Sequence, residues 1–309
     1  MIITVTLNPA LDKTVVLPGF AVNTVNRVES TRLDPGGKGI NVSKSVQALG
    51  GKTLAIGVLG GGAGGYIKSA LDVLGIENDM VITGSPTRTN LKVVDPVLGT
   101  NTDINEPGQP VSPEDLQKVW NKITCTAKQG DTVVFAGKNP PEMDDALLAS
   151  WVRKLKMLGV RVCVDTVGVP MQLALREKPD IIKPNREELS ELMGKDLRTA
   201  EDILAAAKEL VASGVGLVAV SMGADGAVFA TAEACYRGYS PKVHVASTVG
   251  AGDAMMAALV HYLAAGCSLE ETVRRSVAVG SATVMFGGSE PADLSAILPL
   301  IDRVRIEKM

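Results

Sequence analysis

The segment Thr248-Val249-Gly250-Ala251-Gly252-Asp253-Ala254 gathers the residue types of a group-transfer site into one short stretch. It lies between a β-like run and a long helical pattern. Its glycines therefore let backbone N–H groups face outward at the positive start of a helix. Donors held there stabilise negative charge that develops on a transferring phosphoryl group. A carboxylate beside them, Asp253, can take the proton of an attacking hydroxyl. Asp253 would equally cap the helix it begins, and the segment alone does not separate the two roles.

Two further glycine clusters carry weaker signals. Gly36-Gly37-Lys38-Gly39-Ile40-Asn41 precedes a helical run and offers another anion cradle. Gly60, Gly62 and Gly65 satisfy the spacing of a dinucleotide fingerprint and follow a β-like run. Glu77 and Asp79, however, do not clearly end a second strand, so a nicotinamide-dependent oxidoreductase is the distant alternative. A P-loop is excluded, because Val46 stands where Gly51-Lys52-Thr53 would require its first glycine. Only two histidines occur, His244 and His261. Proton transfer therefore falls to a carboxylate or a lysine.

The elements that must position these residues alternate. Apolar β-like runs at Ile2–Leu7, Thr53–Val58, Thr132–Ala136, Arg161–Asp165, Asp180–Lys183 and Leu217–Ser221 are separated by helical patterns near 42–49, 67–74, 113–126, 144–158, 187–193 and 200–212. This order predicts βαβ units, hence a mostly parallel sheet sandwiched by helices. Ser112-Pro113-Glu114-Asp115 marks a helix start and Gly159 a helix stop. Helices are also predicted over 252–265, 269–285 and 293–304. Segments 14–32 and 88–102 are β-rich and turn-rich, and are expected to pair as a small lid. The apolar lid residues Val15, Val16, Leu17, Val93 and Val94 are candidates for a dimer contact.

In order along the chain, TLNPALD, DPGGKGINVS, TRTN, KPNREEL, VSMGADGA and STVGAGDA resemble the motifs of the PfkB branch of the ribokinase-like carbohydrate kinases. The resemblance covers nearly the whole chain. It implies a single α/β domain over residues 1–309, with the site at the carboxyl ends of the strands beneath the lid. Within the branch, the motifs are most similar to those of kinases acting on fructose 1-phosphate. The implied reaction is ATP-dependent conversion of that sugar to fructose 1,6-bisphosphate. Tagatose 6-phosphate and fructose 6-phosphate are the alternative acceptors.

By motif position, the resemblance makes Asp253 the base and Gly250, Ala251 and Gly252 the anion hole. It places Asp12, Gly36, Gly37, Lys38 and Asn41 at the sugar and Arg88 near phosphate. Lys183, Asn185 and Glu188 would organise Mg²⁺ and phosphate, the last two holding Mg²⁺ through water. Ser221, Gly223, Asp225 and Gly226 would line the ATP loop. Ser247, Val249, Thr283 and Gly288 match positions where some relatives hold K⁺. One departure stands out. Relatives commonly carry Gly-Ser-x-Pro-Pro, whereas this chain has Gly137-Lys138-Asn139-Pro140-Pro141, which sets a new cation, Lys138, near the expected acceptor.

Composition fits that reading. The 309 residues are 46% hydrophobic and 21% charged, which suits a large buried core. Lys+Arg 31 against Asp+Glu 34 leaves a net charge of −3, with no basic footprint for nucleic acid. No apolar run is long enough for a membrane span, and no secretory signal is visible at the N-terminus. The four dispersed cysteines suggest reduced thiols in a cytoplasmic protein rather than a metal or disulfide framework.

Overall fold

A computed structural model describes residues 1–309. The chain begins with β1 (Ile2–Thr6), β2 (Ala10–Val16), β3 (Ser30–Gly36), α1 (Lys38–Ala48), β4 (Thr53–Leu59), α2 (Gly61–Val73), β5 (Glu77–Ile82), β6 (Arg88–Asp95) and β7 (Thr100–Ile104). It continues through α3 (Pro113–Thr126), β8 (Thr132–Ala136), α4 (Asp145–Met157), β9 (Arg161–Asp165), α5 (Val169–Arg176), β10 (Ile181–Ile182), α6 (Arg186–Met193), α7 (Ala200–Ala212) and β11 (Leu217–Ser221). After a single turn over Gly223–Asp225 come β12 (Ala227–Ala230), β13 (Cys235–Tyr239), α8 (Ala251–Ala264), α9 (Leu269–Thr283), α10 (Leu294–Ile301) and β14 (Arg305–Lys308).

Ten strands form one sheet in the order β14-β13-β12-β11-β10-β9-β8-β1-β4-β5. From β11 to β5 every pairing is parallel. The apolar runs of these strands bury both faces, as a parallel sheet between helices requires. Alternation assigns Ile3, Val133 and Phe135 to a core under α3, α4, α6 and α7. Ile2, Val134 and Ala136 enter the opposite core, under α1, α8, α9 and α10. Helix ends follow the sequence signals: the Ser112 side chain accepts from Asp115 N at 3.1 Å, and Asp144 caps α4 in the same way. No helix is long and apolar enough to cross a membrane.

Four strands escape the sequence pattern. β5 opens with Glu77-Asn78-Asp79 at the sheet edge, where polar residues are tolerated. β12, β13 and β14 form an antiparallel extension at the other edge. The GxGxxG stretch does sit between β4 and α2, yet its mouth is filled. The Gly60 amide donates to Thr87 Oγ1 at 2.9 Å, and Gly60 O accepts from the Thr87 amide. The residues joining β5 to β6 thus stand where a pyrophosphate would have to enter. His244 is exposed, and His261 is a packing residue of α8 beside Tyr262.

The lid is a second sheet in the order β3-β2-β6-β7. Its strands reach further than 14–32 and 88–102, beginning at Ala10 and ending at Gly36 and Ile104. The period-two alternation also splits the four valines and one leucine expected at a dimer contact. Val15, Leu17 and Val93 are buried in the chain's own small cluster with Phe20 and Leu91. Val16 and Val94 point the other way, into a cleft of about 360 Å³ between the lid and the 246–247 and 287–288 loops.

Candidate active site

Gly250 adopts φ 79°, a left-handed turn open to glycine, and from it α8 begins. The Gly252 and Asp253 amides find no acceptor in the chain, as expected of a helix's first turn. They form an anion-binding mouth with the helix dipole behind it. Asp253 lies in that mouth, 7% exposed. Asn41, from the first turn of α1, donates its Nδ2 to Asp253 Oδ2 at 2.9 Å. The remaining Asn41 oxygen is buried without a partner, as is Thr6 Oγ1. Each therefore carries unused acceptor capacity.

A cationic pair faces the mouth from the sheet. Lys183, just beyond β10, is buried, and its Nζ lies 3.2 Å from where a Cβ on Gly252 would stand. Its partner is Asp165 Oδ2, at 3.2 Å. Lys38 bonds the other oxygen, Asp165 Oδ1, at 2.7 Å and lies 3.6 Å from Glu188 Oε1. Lys38 is thus turned toward Asp165 and Glu188. Asp165 ends β9 and was not among the residues singled out in the sequence, although an acid closing an apolar strand is a visible signal.

These charges set the protonation of Asp253. Burial, and then the negative charge of Asp165, push its carboxyl up to about 6, against the opposing pull of Lys38, Asn41 and Lys183. At neutral pH it is an ionised carboxylate, matched to the work of a general base.

Asn185 and Glu188 form a capping box at α6. Asn185 Oδ1 accepts from the Glu188 amide at 2.8 Å, and Glu188 Oε2 accepts from the Asn185 amide at 2.9 Å. One Glu188 oxygen is thus structural, while the other faces Lys38. No group of three or more His, Cys, Asp or Glu side chains is disposed to hold a metal ion. A carboxylate oxygen outside the capping box, here facing Lys38, suits a hydrated Mg²⁺ that takes its remaining ligands from water and phosphate.

The lid side brings together Asp12, Asn90 and Arg88. Asp12 Oδ1 accepts from Asn90 Nδ2 at 2.8 Å, and burial raises its carboxyl despite Asn90, Lys44 and Arg88 nearby. A Cβ on Gly36 would collide with this carboxylate, and Gly37 holds φ 114° against Thr6 and Pro9. Arg88 donates to Glu106 O at 2.7 Å and Asn8 O at 3.3 Å. Lys138 is exposed beyond β8. Asn90 and Asn8 carry this corner too, and neither was selected from sequence.

Ser221 pairs with Asn185 across an isolated bridge, so the Ser221–Gly226 loop adjoins α6. Gly226 leaves no room for a Cβ beneath Gly238 O, and Asp225 is paired with Arg186 at 3.0 Å rather than free. Ser247 is tied by its amide to Val284 O. The carbonyls of Ser247, Val249 and Gly288 accept no backbone hydrogen bond. The Thr283 hydroxyl turns back to Val279 O.

A model of the pfkB family carbohydrate kinases matches residues 5–293. The chain belongs to this family. It is 41% identical over 278 residues to a 1-phosphofructokinase of Rhodobacter capsulatus, covering 90% of this chain and 88% of that one. Its structure is similar to phosphofructokinase-2 from Escherichia coli in complex with substrates and products (TM-score 0.94, 32% identity, 98% of each chain). It is similar also to the same enzyme in complex with potassium (TM-score 0.93, 32% identity, 98% of each chain). Family membership makes the chain a carbohydrate kinase of ribokinase-like fold, and the oxidoreductase alternative falls.

Proposed function

We propose that this kinase transfers the γ-phosphoryl group of ATP to fructose 1-phosphate, giving fructose 1,6-bisphosphate. The observation that carries the reading is Asp253, a buried carboxylate held by Asn41 at the open first turn of α8 and faced by Lys183. Asp253 takes the proton of the sugar hydroxyl as that oxygen attacks in line. The Gly250–Gly252 turn, with the amides of Gly252 and Asp253, receives the migrating group, and Lys183 and Lys38 offset its charge. Asp12, Gly36, Gly37, Asn41 and Asn90 orient the sugar hydroxyls beneath the lid. Ser221, Gly223, Asp225 and Gly226 contact the nucleotide, with Asp225 shaping the loop through Arg186. Glu188, with Asn185, would hold Mg²⁺ through water, and the bound ion would neutralise phosphate charge. The free carbonyls of Ser247, Val249 and Gly288 suit K⁺, and the Thr283 hydroxyl, which donates its proton to Val279 O, keeps lone pairs that a cation could use.

The 309 residues act as one unit, lid included, in the cytoplasm; all four thiols are free. The identity to a 1-phosphofructokinase favours fructose 1-phosphate over fructose 6-phosphate and tagatose 6-phosphate. An ADP-release assay across the three sugars, with and without K⁺, tests this. Turnover highest with fructose 1-phosphate supports the reading, and preference for either other sugar rejects it.

Arg88 and Lys138 flank the acceptor and are available to its phosphate. Arg88→Ala is expected to raise the KM for the sugar phosphate about tenfold or more while leaving the KM for ATP within about twofold. Equal effects on both substrates would remove Arg88 from the acceptor side.

The lid also presents Val22, Val25, Val28, Val97 and Leu98 to solvent. These, with Val16 and Val94 in the cleft, are the apolar surface of a homodimer through the lids. Light scattering at micromolar concentration should give twice the chain's mass, and a monomer mass refutes the lid contact.

A further inference from the structure

We propose that Lys44 is a positioning residue of the phosphoryl-transfer site, clamping the root of the lid and the loop behind the anion hole onto the helix that carries Asn41. The proposal rests on the kinase reading above, but its geometry stands apart from the motif residues.

Lys44 lies on α1, three residues after Asn41, so the two side chains share a helix face. A lysine on an α/β surface helix ordinarily reaches solvent. Lys44 is instead 5% exposed. Its Nζ donates to Pro35 O at 3.0 Å and to Ser289 Oγ at 2.8 Å. Pro35 is the penultimate residue of β3, the lid strand that runs through Gly36 and Gly37 into α1. Ser289 follows Gly287-Gly288, and its Cα lies 3.6 Å from where a Cβ on Gly250 would stand. One ammonium thus joins the lid root, the helix holding Asn41 against Asp253, and the loop packed on the turn that starts α8.

The surroundings require a cation here. Carboxylates converge from three elements, Asp12 on β2, Asp34 on β3 and Asp253 on α8, with Arg32 as the opposing charge. Burial draws the Lys44 ammonium down to about 8, and these acids sustain its charge. The same loop gives the lid a second seat. A side chain at Gly288 would collide with the Arg32 guanidinium, which bonds Asp34 Oδ2 at 2.9 Å. Arg32 and Asp34 therefore rest on the bare backbone of Gly287 and Gly288, next to the Ser289 hydroxyl that Lys44 holds. Closing the lid and fixing the catalytic turn become one event.

The test compares wild type with Lys44→Arg, Lys44→Met and Ser289→Ala. For Lys44→Met, the KM for the ketose phosphate should rise and kcat fall by about tenfold each, with the KM for ATP unchanged, as expected for loss of two hydrogen bonds from a charged donor. Lys44→Arg should restore most of both, and Ser289→Ala should shift them in the same direction by less. Amide hydrogen exchange, which needs no turnover, should be faster across residues 30–36 and 285–290 in Lys44→Met. Unchanged exchange in those segments, or a rise in both KM values together, overturns the proposal. A wild-type enzyme inactive on every ketose phosphate would defeat the substrate reading alone, and the exchange rates would still decide the role of Lys44.

Discussion

Asp253→Asn should lower kcat by about 10²–10⁴-fold, the usual contribution of a positioned general base, with both KM values close to wild type. The fold should survive, because an asparagine oxygen can accept from Asn41 Nδ2 as Asp253 Oδ2 does at 2.9 Å. Stability should hold or rise at neutral pH. The folded carboxyl keeps its proton up to about 6, while an unfolded aspartate releases it near 3.8, so the native state loses stability as pH rises between those values. Removing the charge lifts that penalty. In the wild type, kcat/KM should fall as pH drops through about 6, because the proton returns to the base. Steady-state kinetics with thermal melts would check both halves. Near-normal turnover in Asp253→Asn would strip this residue of its role.

The second large effect centres on Asp165. It is 1% exposed and bridges Lys38 and Lys183. Burial alone would raise its carboxyl, but the two ammonium groups hold it below the usual aspartate range. Asp165→Ala strands Lys183 in the core, and breaking a buried pair in this way should reduce unfolding free energy by about 3–5 kcal/mol. Lys38 is about one-third exposed and keeps Glu188, so it can rehydrate. The kinetic signature is separate from the stability loss. Asp165 is the nearby negative charge that lifts Asp253, so the acid limb of kcat/KM should move below about 6. Asp165→Asn, which keeps the shape, should move the limb the same way with less cost in stability. An unmoved limb in both variants would show that Asp165 does not tune the base.

How much of this was legible depends on burial. Thr132–Ala136, Arg161–Asp165 and Leu217–Ser221 run as strands over the expected residues, because a parallel strand buried on both faces must be apolar throughout. Glu77–Ile82 and Cys235–Tyr239 were not, because strands toward a sheet edge are half-solvated and mix polar with apolar positions. The lid was visible as two β-rich segments, yet reading Val15 with Val16 ignored that neighbours on a strand face opposite ways. In the site, Asp253, Asn41 and Lys183 were marked by glycine clusters and ordered motifs. Asp165 and Lys44 carry no such flag. Their importance comes from partners far along the chain, 127 residues away for the Lys38–Asp165 bond and 245 for Lys44–Ser289. The direction taken by Lys38 has the same origin.

The capping box at α6 bears on how this site can wander over time. Glu188 gives one oxygen to the scaffold and turns the other toward Lys38, so under the proposed kinase reading most replacements would damage architecture and chemistry together. Glutamine is the exception, since it closes the same box while carrying no charge. A lineage that drifts to glutamine there would retain a sound body around a silenced centre, an open route from catalyst to pure receptor.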